Sequence, residues 1–295
     1  LNKYLAFGEV IETDINFDGT LLEATARKSI SITESRINTN PRRLTKVHRQ
    51  GIQARFGFTE DGAILVWDSI VKFKISKSTI QYENLGCDEK TLKLFTLSEA
   101  IGIALFLKGN FALHGSCILI NDEAQVFIGE PGAGKSTTAT AFWKAGKIIL
   151  SDDLSVIKFI NNKPYVLPAF PQLKVWKDAL NGLGIDTEDL EKSTKGGTKY
   201  LIQPSLEKFP REPIPLESIT VLLKKNSRKK EENLSILQTP TELLKYFPLP
   251  TQLLNGKFIK NHFLTSIELA KTVEIKQLKR PKDFLALEEF INHVK

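Results

Sequence analysis

One stretch constrains this chain more than any other: Gly129-Glu130-Pro131-Gly132-Ala133-Gly134-Lys135-Ser136-Thr137. It satisfies the pattern G-x-x-x-x-G-K-[ST], directly after apolar residues 125–128 with strand character and directly before residues 135–145 with helical character. Glycines let the backbone turn tightly, so that successive N–H groups point inward at one anion, and the positive end of the following helix adds to that field. Lys135 would neutralise the β- and γ-phosphates of a nucleotide such as ATP, and the Ser136 hydroxyl would ligate Mg2+. A strand, glycine loop and helix in this order call for an α/β fold. The competing reading is a glycine turn with a structural role alone.

A nucleotide site needs a carboxylate for its metal, and Asp152-Asp153 follows the apolar strand-like residues 147–150. If Asp153 holds the metal, Asp152 is free to take a proton from an attacking hydroxyl. The alternative is that Asp152 only begins a turn before a strand at Leu154. His114 lies in Leu113-His114-Gly115-Ser116, in the strand before the loop, where a lone histidine is as consistent with a structural role as with a catalytic one. His48, His262 and His293 lack metal-ligand spacing, and Cys87 and Cys117 stand alone, which disfavours zinc and thiol chemistry.

The chain has 295 residues, about two average domains, with an ordinary globular balance of 41% hydrophobic and 25% charged residues. The apolar run at residues 101–107 stops at Lys108, short of the roughly 20 residues that span a bilayer, so no membrane association is expected. The N-terminus lacks the order of a signal peptide and there are two cysteines, which together give the expectation of a cytoplasmic location. The net charge of +7 is spread as +2 over residues 1–97 and +5 over residues 98–295. Its densest run, Lys224, Lys225, Arg228, Lys229 and Lys230, is followed by Glu231-Glu232 without aromatics, and reads as a solvated hairpin loop, with a patch for an acidic partner as the alternative; no nucleic-acid partner is expected.

The first third is strand-rich. Residues 4–11, 56–58 and 64–67 are apolar, and Glu60-Asp61-Gly62 reads as a turn. Val71, Phe73 and Ile75 alternate with Lys72 and Lys74. Residues 38–49, around Pro41, carry no periodicity and read as a loop. The texture changes near residues 84–97, giving a β-rich N-terminal domain at 1–95 and an α/β domain of alternating helix and strand at 96–295. Within the second, residues 98–107 suit a buried helix capped by Thr96 or Ser98, and residues 111–120 and 125–128 a hairpin across Asn121-Asp122-Glu123. Residues 147–150, 154–159, 165–167 and 219–223 read as further strands. The C-terminal fifth reads as mostly helical, with Phe284, Leu287, Ile291 and Val294 on one apolar face.

His114-Gly115-Ser116, the glycine loop, Gly146 and then Ser151-Asp152-Asp153 together resemble, in order and spacing, the catalytic core of HPr serine kinase/phosphorylase. The resemblance implies a P-loop α/β core with a mixed sheet and flanking helices, His114 in an active site, Asp152 as base for an accepting serine, and Asp153 with Ser136 near Mg2+. The chain is more similar still to relatives of that kinase encoded with lasso peptides, which phosphorylate the C-terminal residue of a precursor peptide. Tyr4-Leu5-Ala6-Phe7-Gly8 with Ile11, Pro171-Gln172-Leu173-Lys174-Val175-Trp176-Lys177-Asp178-Ala179-Leu180, and Lys279-Arg280-Pro281 to Leu287 carry this second resemblance. It implies an ATP- and Mg2+-dependent serine kinase with a peptide partner, and the first hints at a homo-oligomer. Thr137 stands where HPr kinases usually carry an acid, and their Glu-Ile-Arg-Gly signature is missing, Asn181-Gly182-Leu183-Gly184-Ile185 echoing only its tail. Both departures count against phosphorylase activity and against HPr as acceptor. Lys174 and Lys199 are candidates for phosphate or peptide-carboxylate contact, with surface lysines as the alternative. A kinase of a hydroxylated metabolite and a non-catalytic nucleotide-binding regulator are the rival functions. The N-terminal domain or residues 38–49 would recruit the acceptor.

Overall fold

The computed structural model describes residues 1–39, 41, 43–193, 198–281 and 283–293. Phe7 and Gly8 take left-handed φ values of 53° and 66°, the two-residue turn whose twist suits a hairpin. That turn folds Asn2–Ala6 (β1) back on Glu9–Thr13 (β2). Leu22–Glu23 (β3), Ile30–Glu34 (β4), Thr45–Arg49 (β5), Ile52–Phe58 (β6), Ala63–Trp67 (β7), Val71–Ile75 (β8) and Thr79–Asn84 (β9) complete a nine-stranded sheet, ordered β3-β1-β2-β4-β9-β8-β7-β6-β5. The alternation in β8 is explained by its two faces: Val71, Phe73 and Ile75 are buried, and Lys72 and Lys74 are not. The loop expected at residues 38–49 is corrected at its C-terminal part, where Thr45–Arg49 pairs antiparallel with β6 at the edge of the sheet. Backbone pairing makes this strand, so its polar side chains show no apolar period; residues 40 and 42 lie outside the described residues.

Glu89–Phe95 (α1) starts at Asp88, whose carboxylate accepts a hydrogen bond from the Thr91 N–H at 2.7 Å. A π-helical turn, Thr96–Ala100, leads into Ile101–Leu107 (α2), which is buried throughout. The cap expected at Thr96 or Ser98 is therefore Asp88, because both hydroxyl residues lie inside a longer helical stretch. The chain forms two compact units, Leu1–Ala112 with Leu249–Asn261, and Leu113–Pro248 with His262–Lys295.

The chain passes into the second unit along Phe111–Leu113 (β10). Gly115–Ile120 (β11) and Glu123–Gly129 (β12) form a hairpin across Asn121 and Asp122, both at positive φ. After Lys135–Lys144 (α3) come Ile148–Ser151 (β13), Ser155–Ile160 (β14) and Lys163–Leu167 (β15). Leu173–Trp176 (β16), Lys177–Gly182 (α4) and Lys199–Ile202 (β17) follow, β16 and β17 pairing as a two-stranded sheet. The main sheet of this unit runs β14-β15-β18-β12-β11-β13, where β18 is Ile214–Leu223. Thr239–Leu244 (α5) and Phe284–His293 (α7) are its later helices, and Gly256–Thr272 (α6) is divided between the two units after Asn261. Leu287 and Ile291 of α7 are buried in the core beneath α3, as their spacing requires, while Val294 lies outside the described residues. No helix among the described residues is long and apolar enough to cross a membrane.

Two expectations for the C-terminal part are corrected. Glu274–Lys279 (β20) interrupts the helices and pairs in parallel with β18, a partner that no local period announces. Glu232–Asn233 (β19) pairs with β20 and not with β18, so the lysine-rich segment before it is not the loop of a hairpin.

Candidate active site

β12 runs parallel to β18 with Gly129 opposite Leu222, so close that a Cβ on Gly129 would lie 2.7 Å from the Leu222 carbonyl oxygen. Beyond it Gly132 and Gly134 have φ values of 82° and 102°, backbone that L side chains rarely adopt. No described residue lies within 4 Å of the position a Cβ on Gly132 would take, and the glycine itself is exposed. Gly134 is the N-cap of α3, and the first-turn N–H groups that follow it have no acceptor within the helix. Glycines at positive φ directly before a helix start are an arrangement that suits an anion.

Within that loop Lys135 donates to the Gly129 carbonyl at 2.8 Å. Burial lowers the pKa of its ammonium, opposed by the charges of Asp153 and Asp152. Ala133 is buried in the core, and Glu130 pairs with Lys224 at 2.9 Å. Pro131 is exposed, and Thr137 lies partly buried in the first turn of α3. Ser136 points its hydroxyl toward Asp152, at 3.4 Å from Oδ1.

The paired aspartates follow β13 in a sharp turn. Leu154 N–H donates to the Asp152 carbonyl at 2.9 Å while Asp153 sits at φ 68°, a three-residue turn of the rarer, positive-φ kind. The turn sends the two carboxylates to different partners. Asp152 accepts from Ser116 Oγ at 2.6 Å and from the Lys174 N–H at 3.2 Å. Asp153 pairs with Lys174 Nζ at 3.1 Å. Ser136 and Asp153 are brought to the same turn but are not hydrogen-bonded to each other.

These surroundings push the two acids apart. Burial and then the neighbouring Asp153 charge raise the Asp152 carboxyl, against the lowering effect of Ser116 and Lys174. Burial also works to raise Asp153, but Lys174, His114 and Lys199 outweigh it and hold that carboxyl well below the usual range. His114 Nδ1 lies 2.9 Å from the Asp153 carbonyl. A carbonyl only accepts, so Nδ1 carries the hydrogen. Lys199 reaches the site by its charge alone: its ammonium lies 5.3 Å from the centroid of the half-exposed Trp176 ring, opposite it on β16. Lys174, by contrast, is bonded directly into the site.

Two residues of the site carry no role in the sequence reading. Ser116 is fully buried, and the available signal was a hydroxyl in an otherwise apolar strand. Arg280, after β20, lies against Gly134, and no sequence spacing links residues so far apart.

No protein-family model and no curated protein matches the chain. Among solved structures it is similar to the HPr(Ser) kinase/phosphatase from Coxiella burnetii, at 13% sequence identity and a TM-score of 0.29, over 61% of this chain and 93% of that chain.

Proposed function

We propose that the chain is a phosphotransferase that moves the γ-phosphoryl group of ATP, with Mg2+, to a serine hydroxyl of a peptide. The observation that carries this reading is the hydrogen bond from Ser136 to Asp152, which joins the glycine loop to the paired aspartates in a single site. The donor set fits both groups: a glycine loop at a helix start for phosphates, and hydroxyl and carboxylate oxygens for a hard cation.

When bound, ATP supplies the phosphoryl group and Mg2+ draws charge from its oxygens. The loop amides of Gly132, Ala133, Gly134 and Ser136, with Lys135, would hold the phosphates. Ser136 and Asp153 would hold Mg2+, Lys174 keeping Asp153 ionised. Asp152 takes the hydroxyl proton, and its raised carboxyl makes it a stronger base than an ordinary carboxylate. His114 keeps the Asp153 turn in place through the backbone carbonyl. The similarity of the sequence to the lasso-peptide kinases makes the C-terminal serine of a precursor peptide the acceptor in this reading.

The test is mass spectrometry of candidate precursor peptides incubated with ATP, Mg2+ and the protein, beside the Asp152→Asn variant. A gain of one phosphate at the terminal serine, lost in the variant, supports the reading. Turnover on free serine or a sugar without peptide moves the acceptor to a metabolite. Lys135-dependent ATP binding with no transfer to any acceptor makes the chain a nucleotide-binding regulator.

A further inference from the structure

We infer that Arg280 is a phosphate ligand of the nucleotide site, supplied by the segment that follows β20. The inference rests on the nucleotide reading above and adds to it a residue from the far end of the chain.

The sheet brings this residue to the loop. β12, β18 and β20 are parallel, with Gly129 opposite Leu222 and Leu222 opposite Leu278. Their C-terminal ends therefore meet one edge, where ligands of parallel sheets bind. The chain leaves β20 at the level where it leaves β12 for the glycine loop. Arg280 is then packed over Gly134: a Cβ at that glycine would lie 2.6 Å from Arg280 Cδ, 2.8 Å from Nη1 and 3.1 Å from Nε. The missing side chain at 134 serves two ends. It permits the φ of 102°, and it makes room for a guanidinium beside the start of α3.

The electrostatics of that position have the wrong sign for a resting contact. A cation is disfavoured at the positive end of a helix dipole, and Lys135 adds a second positive charge in the same loop. Among the described residues Arg280 has no carboxylate or carbonyl partner. The acid of the loop, Glu130, is already paired with Lys224 at 2.9 Å. The other cation at the site differs in this respect, since Lys174 is matched to Asp153. An anion lying between the loop amides, Lys135 and Arg280 would turn three like-signed neighbours into one favourable cluster. The planar, five-donor guanidinium is suited to two oxygens of one phosphate.

The test is calorimetric titration of ATP, ADP and AMP, each with Mg2+, into the wild-type chain and into Arg280→Ala, Arg280→Lys and Lys135→Ala. Loss of a charge-assisted contact should weaken ATP and ADP in Arg280→Ala by roughly ten- to hundredfold. AMP, which lacks the β- and γ-phosphates, should bind the variant and the wild type alike, and Arg280→Lys should recover part of the loss. ATP affinity in Arg280→Ala within about twofold of wild type, with Lys135→Ala strongly weakened, would overturn the assignment of Arg280 while leaving the nucleotide site standing. An equal loss for all three nucleotides with a lowered melting temperature would also overturn it, by making Arg280 a structural residue. Undiminished ATP binding in Lys135→Ala would remove the nucleotide reading, and Arg280 with it.

Discussion

Ser116, buried in β11, donates its hydroxyl to Asp152 Oδ1 at 2.6 Å, a shorter bond than the 3.4 Å contact from Ser136 to the same oxygen. A buried strand residue thus orients the carboxylate that the glycine loop meets.

Ser116→Ala removes a donor that stabilises the ionised form of Asp152. A base acts when deprotonated, so the rate rises with pH through its pKa. Burial and Asp153 raise Asp152, so the acid limb of kcat/KM is expected above the ordinary carboxylate value of about 4. In Ser116→Ala the limb should move further toward neutral pH, by roughly one unit, which is the worth of one hydrogen bond. A pH–rate profile that superimposes on wild type would show that Ser116 does not tune Asp152.

Lys174→Met leaves Asp153 without its ammonium. Because the pair is mostly shielded, with 14% and 30% of the two side chains exposed, the variant should lose about 1–3 kcal/mol of stability. Mg2+ should restore more stability to the variant than to wild type, since a cation replaces the missing charge. Thermal melts across a Mg2+ series decide this, and parallel curves for the two proteins would count against Asp153 as a metal ligand.

Gly132→Ala adds a methyl group where no described residue lies within 4 Å, in backbone with φ 82°. The left-handed conformation should cost roughly 1–2 kcal/mol in denaturant titrations. The larger effect is expected on ligand binding: the methyl stands in the loop whose amides would hold the phosphates, and ATP affinity should drop by at least about tenfold. Equal ATP affinity in the variant would place the phosphates elsewhere.

His262, on α6, is 4% exposed and stacks edge-on against Phe247 at 5.9 Å. Burial lowers its pKa from 6.5 to about 4. The folded state therefore favours neutral imidazole, and that stability is present above pH 6.5 and lost as pH falls toward 4. The full difference is worth up to roughly 3 kcal/mol. His262→Gln should flatten the fall in unfolding free energy over this range, and an unchanged slope would assign the acid sensitivity to other groups.

The local features could be read from the residues alone. The glycine loop and α3 could be read because left-handed φ values demand glycine and a helix start follows at once. β8 was legible from the alternation of Val71, Phe73 and Ile75, and the turn at Asn121-Asp122 from residue types that tolerate positive φ. Lys135, Ser136 and the Asp152-Asp153 pair were legible as candidates for the same reason, since each stands in a short pattern with its own chemistry.

The other features depend on which distant segments pack together. β5 and β20 exist because β6 and β18 offer their backbones, and backbone pairing leaves little trace in side-chain pattern. The segment Leu249–Asn261 joins the first unit although its neighbours in sequence belong to the second. The separation of Asp152, turned to Ser116 and Ser136, from Asp153, turned to Lys174, follows from a single turn and from strands that converge on it. Arg280 meets Gly134 through the parallel register of β12, β18 and β20. Such contacts are set by which distant strands pair and at which register, and that depends on the burial of the whole sheet rather than on any window of residues.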